Sequence, residues 1–293
     1  MSEYENQFVS TQDGLKLFVR RYGAPGKYLP VVCLPGLART SADFHRLALA
    51  LSSDAEQPRQ VFAMDARGRG RSDYDPTPAN YNVGVEMNDV LTMLTALSIG
   101  RAVFIGTSRG GILTMVLASI RPDVIAGAVL NDIGPVIEPA GLLRIKSYVG
   151  KLSQPASFED GGEMLRRLFG AQFTKLTPDD WTAYAQRTFE LRDGKIVPSY
   201  DLALAQTLAS FDIAQPLPPL WPQFDALAGV PVMVVRGENS DLLSPQTVEQ
   251  MRQRRPDLEV LEVPAQGHAP LLVEDDVIAR LGTFVAGCER KRS

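Results

Sequence analysis

The feature that most constrains the fold of this chain is a ten-residue run, 102–111, with the sequence AVFIGTSRGG. It begins with apolar residues rich in β-branched and aromatic side chains, which is typical of a buried strand. It then passes through Gly106 and Gly110 into the apolar stretch 112–118, which has the length of a helix. Because a strand that turns directly into a helix is crowded at its apex, small neighbours are needed there. The pattern predicts that Ser108 stands on a sharp turn above the positive end of a helix.

Short apolar strands alternate with helical segments on both sides of this run. A hairpin signal, Asp13-Gly14, comes first. Strands are predicted at 31–34, 60–64, 124–130, 230–236 and 258–263, and helices at 41–51, 83–97, 245–254 and 274–287. A hairpin followed by this alternation predicts an α/β fold with a mostly parallel sheet and helices on both faces.

The alternation is interrupted between residues 134 and 224. This region carries amphipathic helical stretches at 141–152, 161–169, 178–191 and 202–210 but no strong strand, and it closes with the proline-rich segment 216–222. We therefore predict one α/β core, formed by residues 1–133 and 225–293, with an inserted helical cap, or lid, at 134–224.

A serine hydroxyl is a poor nucleophile at neutral pH unless a base lies within hydrogen-bond reach. The chain has only two histidines, His45 and His268. His268 follows the last predicted strand, and loops at the carboxyl ends of parallel strands share an edge with Ser108. His45 lies in a predicted helix beside apolar residues, where a packing role is favoured. The sequence predicts His268 as the catalytic base.

The histidine needs an anionic partner that fixes its tautomer and stabilises the imidazolium. Three carboxylates follow predicted strands at the same edge. Asp241 is favoured because it lies a few residues past its strand, Glu238 is second, and Asp132 is the fallback. The first choice gives the chain order Ser108, Asp241, His268, which is expected if three loops share one edge.

Attack on a carbonyl creates an oxyanion, which two backbone N–H groups should stabilise. We predict the amides of Leu37, after the first core strand, and Arg109, after the nucleophile. The Arg109 side chain could hold a substrate carboxylate, but an ion pair with Asp132 or Glu138 is favoured. Cys33 is a conceivable rival nucleophile, but its apolar strand predicts a small buried residue.

These motifs together resemble the α/β-hydrolase fold superfamily, and within it the capped bacterial serine esterases, lactonases and carbon–carbon hydrolases. The matching segments are 35–37, 65–72, 106–110, 237–241 and 267–268. The resemblance implies an eight-stranded sheet with an antiparallel first hairpin, a helical lid after the sixth strand, and no cofactor. The chain departs from the family where Pro35 replaces a frequent histidine, and where Arg109 replaces a frequent Met, Gln or Trp.

The composition narrows the environment and partners that we expect. The net charge is −4 with no basic block, which argues against nucleic acid and anionic membrane surfaces. No apolar run approaches the length of a transmembrane helix, and the first residues lack a secretory pattern. Two distant cysteines favour reduced thiols. We expect a cytoplasmic protein, monomer or homodimer, with no metal and a small-molecule ester as partner.

The leading hypothesis is a carboxylic ester hydrolase that works through an acyl-enzyme. A lactonase or a carbon–carbon bond hydrolase would use the same three residues. A hypothesis from another class is a slow-turnover ligand-binding or receptor-type member of the fold. Serine at the turn argues against dehalogenase and epoxide hydrolase chemistry, which needs a carboxylate there.

Overall fold

The computed structural model describes residues 3–209, 212 and 217–289. Its strands, in chain order, are β1 (Glu5–Ser10), β2 (Lys16–Tyr22), β3 (Val31–Leu34), β4 (Val61–Met64), β5 (Ala102–Thr107), β6 (Ile125–Asn131), β7 (Phe189–Arg192), β8 (Lys195–Pro198), β9 (Val232–Gly237) and β10 (Glu259–Val263). Eight of them form one sheet in the order β1-β2-β4-β3-β5-β6-β9-β10. β1 and β2 pair with antiparallel neighbours, and all other pairs are parallel. The predicted sheet is confirmed.

The helices are α1 (His45–Ser52), α2 (Val83–Ala96), α3 (Arg109–Ile120), α4 (Pro139–Tyr148), α5 (Phe158–Phe169), α6 (Pro178–Thr188), α7 (Trp221–Asp225), α8 (Pro245–Arg254) and α9 (Asp275–Gly287). Short 3-10 turns lie at Ser41–Phe44, Pro78–Asn80, Pro122–Val124 and Leu202–Leu208. Two apolar cores flank the sheet. One contains residues of α1 and α9, and the other contains residues of α2, α3, α7 and α8. Helices therefore cover both faces, as predicted.

The central strands are fully buried because both of their faces meet helices. Every residue of β3, β4 and β6 is buried, and so are five of the six residues of β5. This explains why their sequences are continuous apolar runs rather than alternating ones. The predicted hairpin turn between β1 and β2 is also present, with Gly14 at a φ of +88°.

The segment between β6 and β9 differs from the prediction in two places. A helix was predicted over 178–191, but α6 ends at Thr188 and β7 and β8 form a hairpin. Its two-residue turn is Asp193-Gly194, with φ values of +50° and +73°, which is the signature of a type I′ turn. The predicted helix over 202–210 is a 3-10 helix that ends at Leu208, and Ser210 and Pro216 lie outside the described residues.

Candidate active site

Ser108 occupies the turn between β5 and α3, as predicted. Its φ of +49° and ψ of −110° lie in a region that non-glycine residues rarely adopt. The turn is possible because both flanking glycines lack a side chain. A Cβ on Gly106 would lie 2.4 Å from the Gly110 carbonyl oxygen, and one on Gly110 would lie 2.0 Å from that of Leu34. The strained backbone therefore rests on small neighbours that hold Ser108 at the sheet edge.

His268 meets Ser108 at this edge. Its Nε2 lies 2.9 Å from the Ser108 Oγ, and it comes from the loop after β10. The other histidine, His45, is remote from this contact and forms a 2.9 Å hydrogen bond with the Tyr22 hydroxyl. The predicted pairing of Ser108 with His268 is therefore present in the structure.

Asp132, and not Asp241, contacts the far side of the imidazole. Its Oδ2 lies 2.8 Å from the His268 Nδ1, and the side chain is fully buried. A carboxylate can only accept, so Nδ1 carries the proton and Nε2 is left to accept from Ser108. Asp132 is held by the Gly237 amide at 2.8 Å and by the Ser240 hydroxyl at 2.6 Å.

The prediction of Asp241 as the partner of His268 is wrong, because Asp132 takes that place. Its carboxylate accepts two hydrogen bonds from the Arg144 guanidinium of α4, at 2.6 and 2.8 Å. Burial acts to raise the pKa of Asp241, but the bonds and charge of Arg144 outweigh this and lower the pKa. Glu238, the second choice, accepts a hydrogen bond from the Ala265 amide at 2.7 Å and so joins the loop after β9 to the loop after β10.

The sequence contained a signal for Asp132 that the prediction weighed too lightly. Asp132 follows β6 directly, and β6 is the hydrogen-bonded neighbour of the nucleophile strand β5. Asp241 lies four residues past the end of β9, which is one strand further away. Ser240, which fixes Asp132, was missed because a loop serine carries no signal of its own.

The two predicted amide donors lie beside Ser108. Arg109 is the first residue of α3, and the first amides of a helix have no carbonyl partner within it. Leu37 follows β3, and its neighbour Gly36 lies so close that an added Cβ would be 3.8 Å from the Ser108 Cβ. Leu37 and Arg109 border the same recess as Ser108. Their role as an oxyanion hole stays a prediction.

The Arg109 side chain turns away from Ser108 into a buried ion cluster. Its Nε donates to Glu86 of α2 at 2.7 Å, and Arg69 contacts the other Glu86 oxygen at 2.8 Å. An ion pair was favoured, but the expected partners, Asp132 and Glu138, were wrong. Burial acts to raise the pKa of Glu86, yet the charges of Arg69 and Arg109 outweigh it and lower the pKa below 4.5.

Replacing Glu86 by glutamine should lower the free energy of unfolding by about 3–5 kcal/mol, because two buried guanidinium groups lose their counter-charge. The lowered pKa means that this stabilisation is complete above about pH 5 and diminishes as the pH falls through the folded pKa. Urea unfolding at pH 7 and pH 4 measures both effects. Asp225→Asn, which breaks an exposed pair with Arg254, is the control and should cost less than about 1 kcal/mol. Equal losses for both variants at pH 7 would contradict the cluster's role.

A cavity of about 80 Å³ lies against Ser108 and His268. One wall comes from the loop after β3, including Leu37 and Arg39. The opposite wall comes from the segment between β6 and β9, with the side chains of Ile145, Tyr148, Leu165, Phe169, Tyr184, Thr188 and Tyr200. The Ser108 hydroxyl therefore borders a small space between the loop after β3 and the segment that follows β6.

Other reactive groups are separate from this cavity. Both cysteines are free and buried. Burial raises the pKa of the Cys33 thiol, and it raises the pKa of Cys288 to about 12, so both thiols stay protonated at neutral pH. Within the described residues, no group of three His, Cys, Asp or Glu side chains could hold a metal ion. None of the helices in the described ranges has both the length and the apolar character needed to cross a membrane.

Comparisons with known proteins agree with the fold described above. The family model for the α/β-hydrolase fold matches residues 30–275. The 3-hydroxybutyrate-oligomer hydrolase of Cupriavidus necator is 33% identical over 293 residues, covering 96% of each chain. The 2-(acetamidomethylene)succinate hydrolase of Mesorhizobium japonicum is 29% identical, covering 80% of this chain and 79% of that one. The crystal structure of an α/β hydrolase from Novosphingobium aromaticivorans is 40% identical and superposes with a TM-score of 0.91, covering 98% of this chain and 99% of that one. With the family model matching most of its length, the chain belongs to the α/β-hydrolase fold family.

Proposed function

We propose that this protein is a serine hydrolase that cleaves carboxylic esters through an acyl-enzyme. The observation that carries the proposal is the chain of hydrogen bonds from Ser108 to His268 at 2.9 Å and from His268 to Asp132 at 2.8 Å. Serine becomes a competent nucleophile when an oriented imidazole can take its proton. Asp132 replaces the expected Asp241 in this proposal.

In the proposed reaction, the Ser108 Oγ attacks the ester carbonyl while its proton moves to the His268 Nε2. The amides of Leu37 and Arg109 donate to the oxyanion that forms. Collapse of the tetrahedral intermediate breaks the carbonyl–alcohol bond, and His268 returns the proton to the departing alcohol. Water then attacks the acyl-enzyme with His268 again as base, which releases the acid and restores the serine.

The substrate class that we propose is a short oligoester of a hydroxy acid. It is supported by the relative from Cupriavidus necator, a 3-hydroxybutyrate-oligomer hydrolase that matches over 96% of both chains. We also propose that residues 134–224 form the cap of the site, because nine of these residues line the cavity beside Ser108, Val149 and Leu152 in addition to the seven named above. A lid built from this segment would exclude water from the acylation step.

The test uses the purified full chain and three substrates, ethyl butyrate, the 3-hydroxybutyrate trimer and γ-butyrolactone. Their hydrolysis is monitored by pH-stat titration. We expect turnover of the open-chain esters, fastest with the trimer, and a single fluorophosphonate adduct that peptide mapping locates on Ser108. Preferential opening of the lactone would favour the lactonase alternative. Absence of turnover with an unlabelled Ser108 would contradict an acyl-enzyme and favour the ligand-binding alternative.

A further inference from the structure

Two spaces of different character meet at Ser108. The cavity of about 80 Å³ contains Ser108 together with His268 and Arg39. On the other side of Ser108, a groove of about 730 Å³ contains Leu37 and Arg109. The apolar side chains that line the groove include Ile112, Ile133, Ile137, Leu142, Ile145 and Leu242. An ester bound at Ser108 would therefore place its two halves in unlike surroundings.

The positions of His268 and of the two amide donors determine which half of the ester occupies the cavity and which half occupies the groove. The departing alcohol must receive its proton from the His268 Nε2, so it lies on the side of the imidazole, which borders the small cavity. The acyl carbonyl points at the amides of Leu37, which borders both spaces, and of Arg109, which borders only the groove. The alcohol half therefore occupies the small cavity, and the acyl chain extends along the apolar groove.

The small cavity suits a compact leaving group. Its free volume of about 80 Å³ is roughly one ninth of the 730 Å³ of the groove. A short hydroxy acid is the smaller half of such a substrate and therefore suits this side. A longer alcohol would have to displace the tyrosines that form the opposite wall.

The Arg39 side chain begins close to Ser108 and lines the small cavity. A Cβ placed on Gly36 would lie 3.3 Å from the Arg39 Cγ and 3.8 Å from the Ser108 Cβ, so both side chains flank one point. Asp43 accepts from the Arg39 Nε at 2.6 Å and also from its Nη2, and the Thr188 hydroxyl accepts from Nη1 at 2.6 Å. Within the described residues these contacts use three of its five N–H groups, which leaves two to donate.

The carboxylate partner of Arg39 lies among other charged groups. Asp43 is shared with a second cation, because the Arg187 Nε lies 3.6 Å from the same carboxylate. Arg39 and Arg187 therefore share this carboxylate, and Asp180 is a further negative charge near Arg187. Tyr148 lines this cavity as well, and burial raises its pKa to about 12, so its hydroxyl stays protonated. The cavity wall thus holds the Arg39 guanidinium beside the Asp43 carboxylate, and the two remaining N–H groups of Arg39 can donate to an anion.

We propose that Arg39 binds the free carboxylate of a hydroxy-acid leaving group, so that the enzyme removes single units from the carboxyl end of a short oligoester. This inference rests on the proposed ester hydrolysis and adds the end of the oligoester at which cleavage begins. The Ser108 Oγ bonds to the last internal carbonyl, the bond from that carbonyl to the terminal unit breaks, and the released hydroxyl takes the proton from His268. The rest of the oligoester remains as the acyl-enzyme in the groove until water releases it.

The first test compares two substrates of the unaltered protein, the 3-hydroxybutyrate trimer as free acid and its methyl ester. Loss of a charge-assisted hydrogen-bonded contact should lower kcat/KM for the methyl ester by about 10- to 100-fold. With a trimer labelled by ¹³C in the carboxyl-terminal unit, the first monomer released should carry the label. Release of an unlabelled monomer first, or equal rates for both substrates, would overturn the proposal.

The second test uses Arg39→Gln, which removes the charge but can still bond to Asp43 and Thr188. Its preference for the free acid over the methyl ester should fall to less than about threefold. Arg187→Gln is the matched control, because it removes a charge from the same cluster at a residue that does not line the cavity, and it should keep a clearly larger preference than Arg39→Gln. If Arg39→Gln does not fold, Arg39→Lys, which keeps the charge but not the fork, should show an intermediate preference.

These experiments distinguish failure of the proposed ester hydrolysis from failure of the proposed role of Arg39. If ethyl butyrate and the trimer are both inert, ester hydrolysis itself is wrong and the direction falls with it. If both are cleaved in a Ser108-dependent way but the preference survives Arg39→Gln, only the role of Arg39 is wrong.

Discussion

The Ser108→Ala variant should retain no more than about one part in 10⁵ of the kcat/KM for ester hydrolysis. Alanine cannot form the acyl-enzyme, and the remaining groups can only stabilise direct attack by water. Because serine and base act as a unit, His268→Ala should fall to a similar level and the double variant should be no slower. Initial rates on ethyl butyrate and the trimer, measured by pH-stat titration, check this.

The control for this loss is Ser119→Ala, which alters an exposed serine at the other end of α3 and should leave the rate unchanged. The thermal midpoint of Ser108→Ala should also stay close to that of the parent, since alanine and serine meet similar backbone strain at a φ of +49°. Retention of more than about 1% of the activity in a folded Ser108→Ala protein would refute the acyl-enzyme mechanism.

The parts of the site that could be predicted are those that local sequence determines. The turn at Ser108 follows from glycines at fixed spacing between an apolar strand and an apolar helix, and the structure places all of them in contact. His268 could be selected because the chain has only one other histidine, and that one lies in a helix. Neither inference needed knowledge of distant residues.

The parts that could not be predicted depend on long-range pairing. Asp132 and Asp241 both follow strands at the same edge, and what separates them is Arg144, which lies in α4 and engages Asp241. Arg109 likewise pairs with Glu86 of α2 and not with Asp132, although both carboxylates are equally distant from it in the sequence. Ion pairs of this kind connect elements whose relative position follows only from packing, so residue type and spacing carry no signal for them.

The β7–β8 hairpin was missed by the prediction for a different reason, because the sequence contained a local signal for it. Asp193-Gly194 is a strong hairpin turn, but the apolar residues Phe189 and Leu191 continue the helical spacing of α6. The turn signal prevailed in the structure because it satisfies backbone groups on both strands, which pair in register from Phe189–Pro198 to Arg192–Lys195. The isolated pairing of Arg69 with Tyr200, just beyond β8, connects this region to the core.

Asp132→Asn should lower kcat by about 10³- to 10⁴-fold, whereas Asp241→Asn should lower it by less than about tenfold. An asparagine at position 132 can present its N–H₂ group to His268, which favours the tautomer with its proton on Nε2 and removes the acceptor that Ser108 needs. The backbone of Asp132 has a φ of +55°, a conformation that asparagine tolerates well, so the substitution tests charge and tautomer with little added strain.

The comparison between the two carboxylates is the decisive part of this experiment. Both lie in the loops beside His268, and the same change from Asp to Asn is made at each. Asp241→Asn breaks the ion pair that joins α4 to the loop after β9, so its expected effect is on KM and on the thermal midpoint. Ser240→Ala, which removes one donor from Asp132 but leaves the carboxylate, should fall between them. If Asp241→Asn loses more kcat than Asp132→Asn while both proteins remain folded, the imidazole is oriented by Asp241 during turnover. In that case the Arg144 pair would have to open before each reaction, and the mobile element controlling activity would be α4.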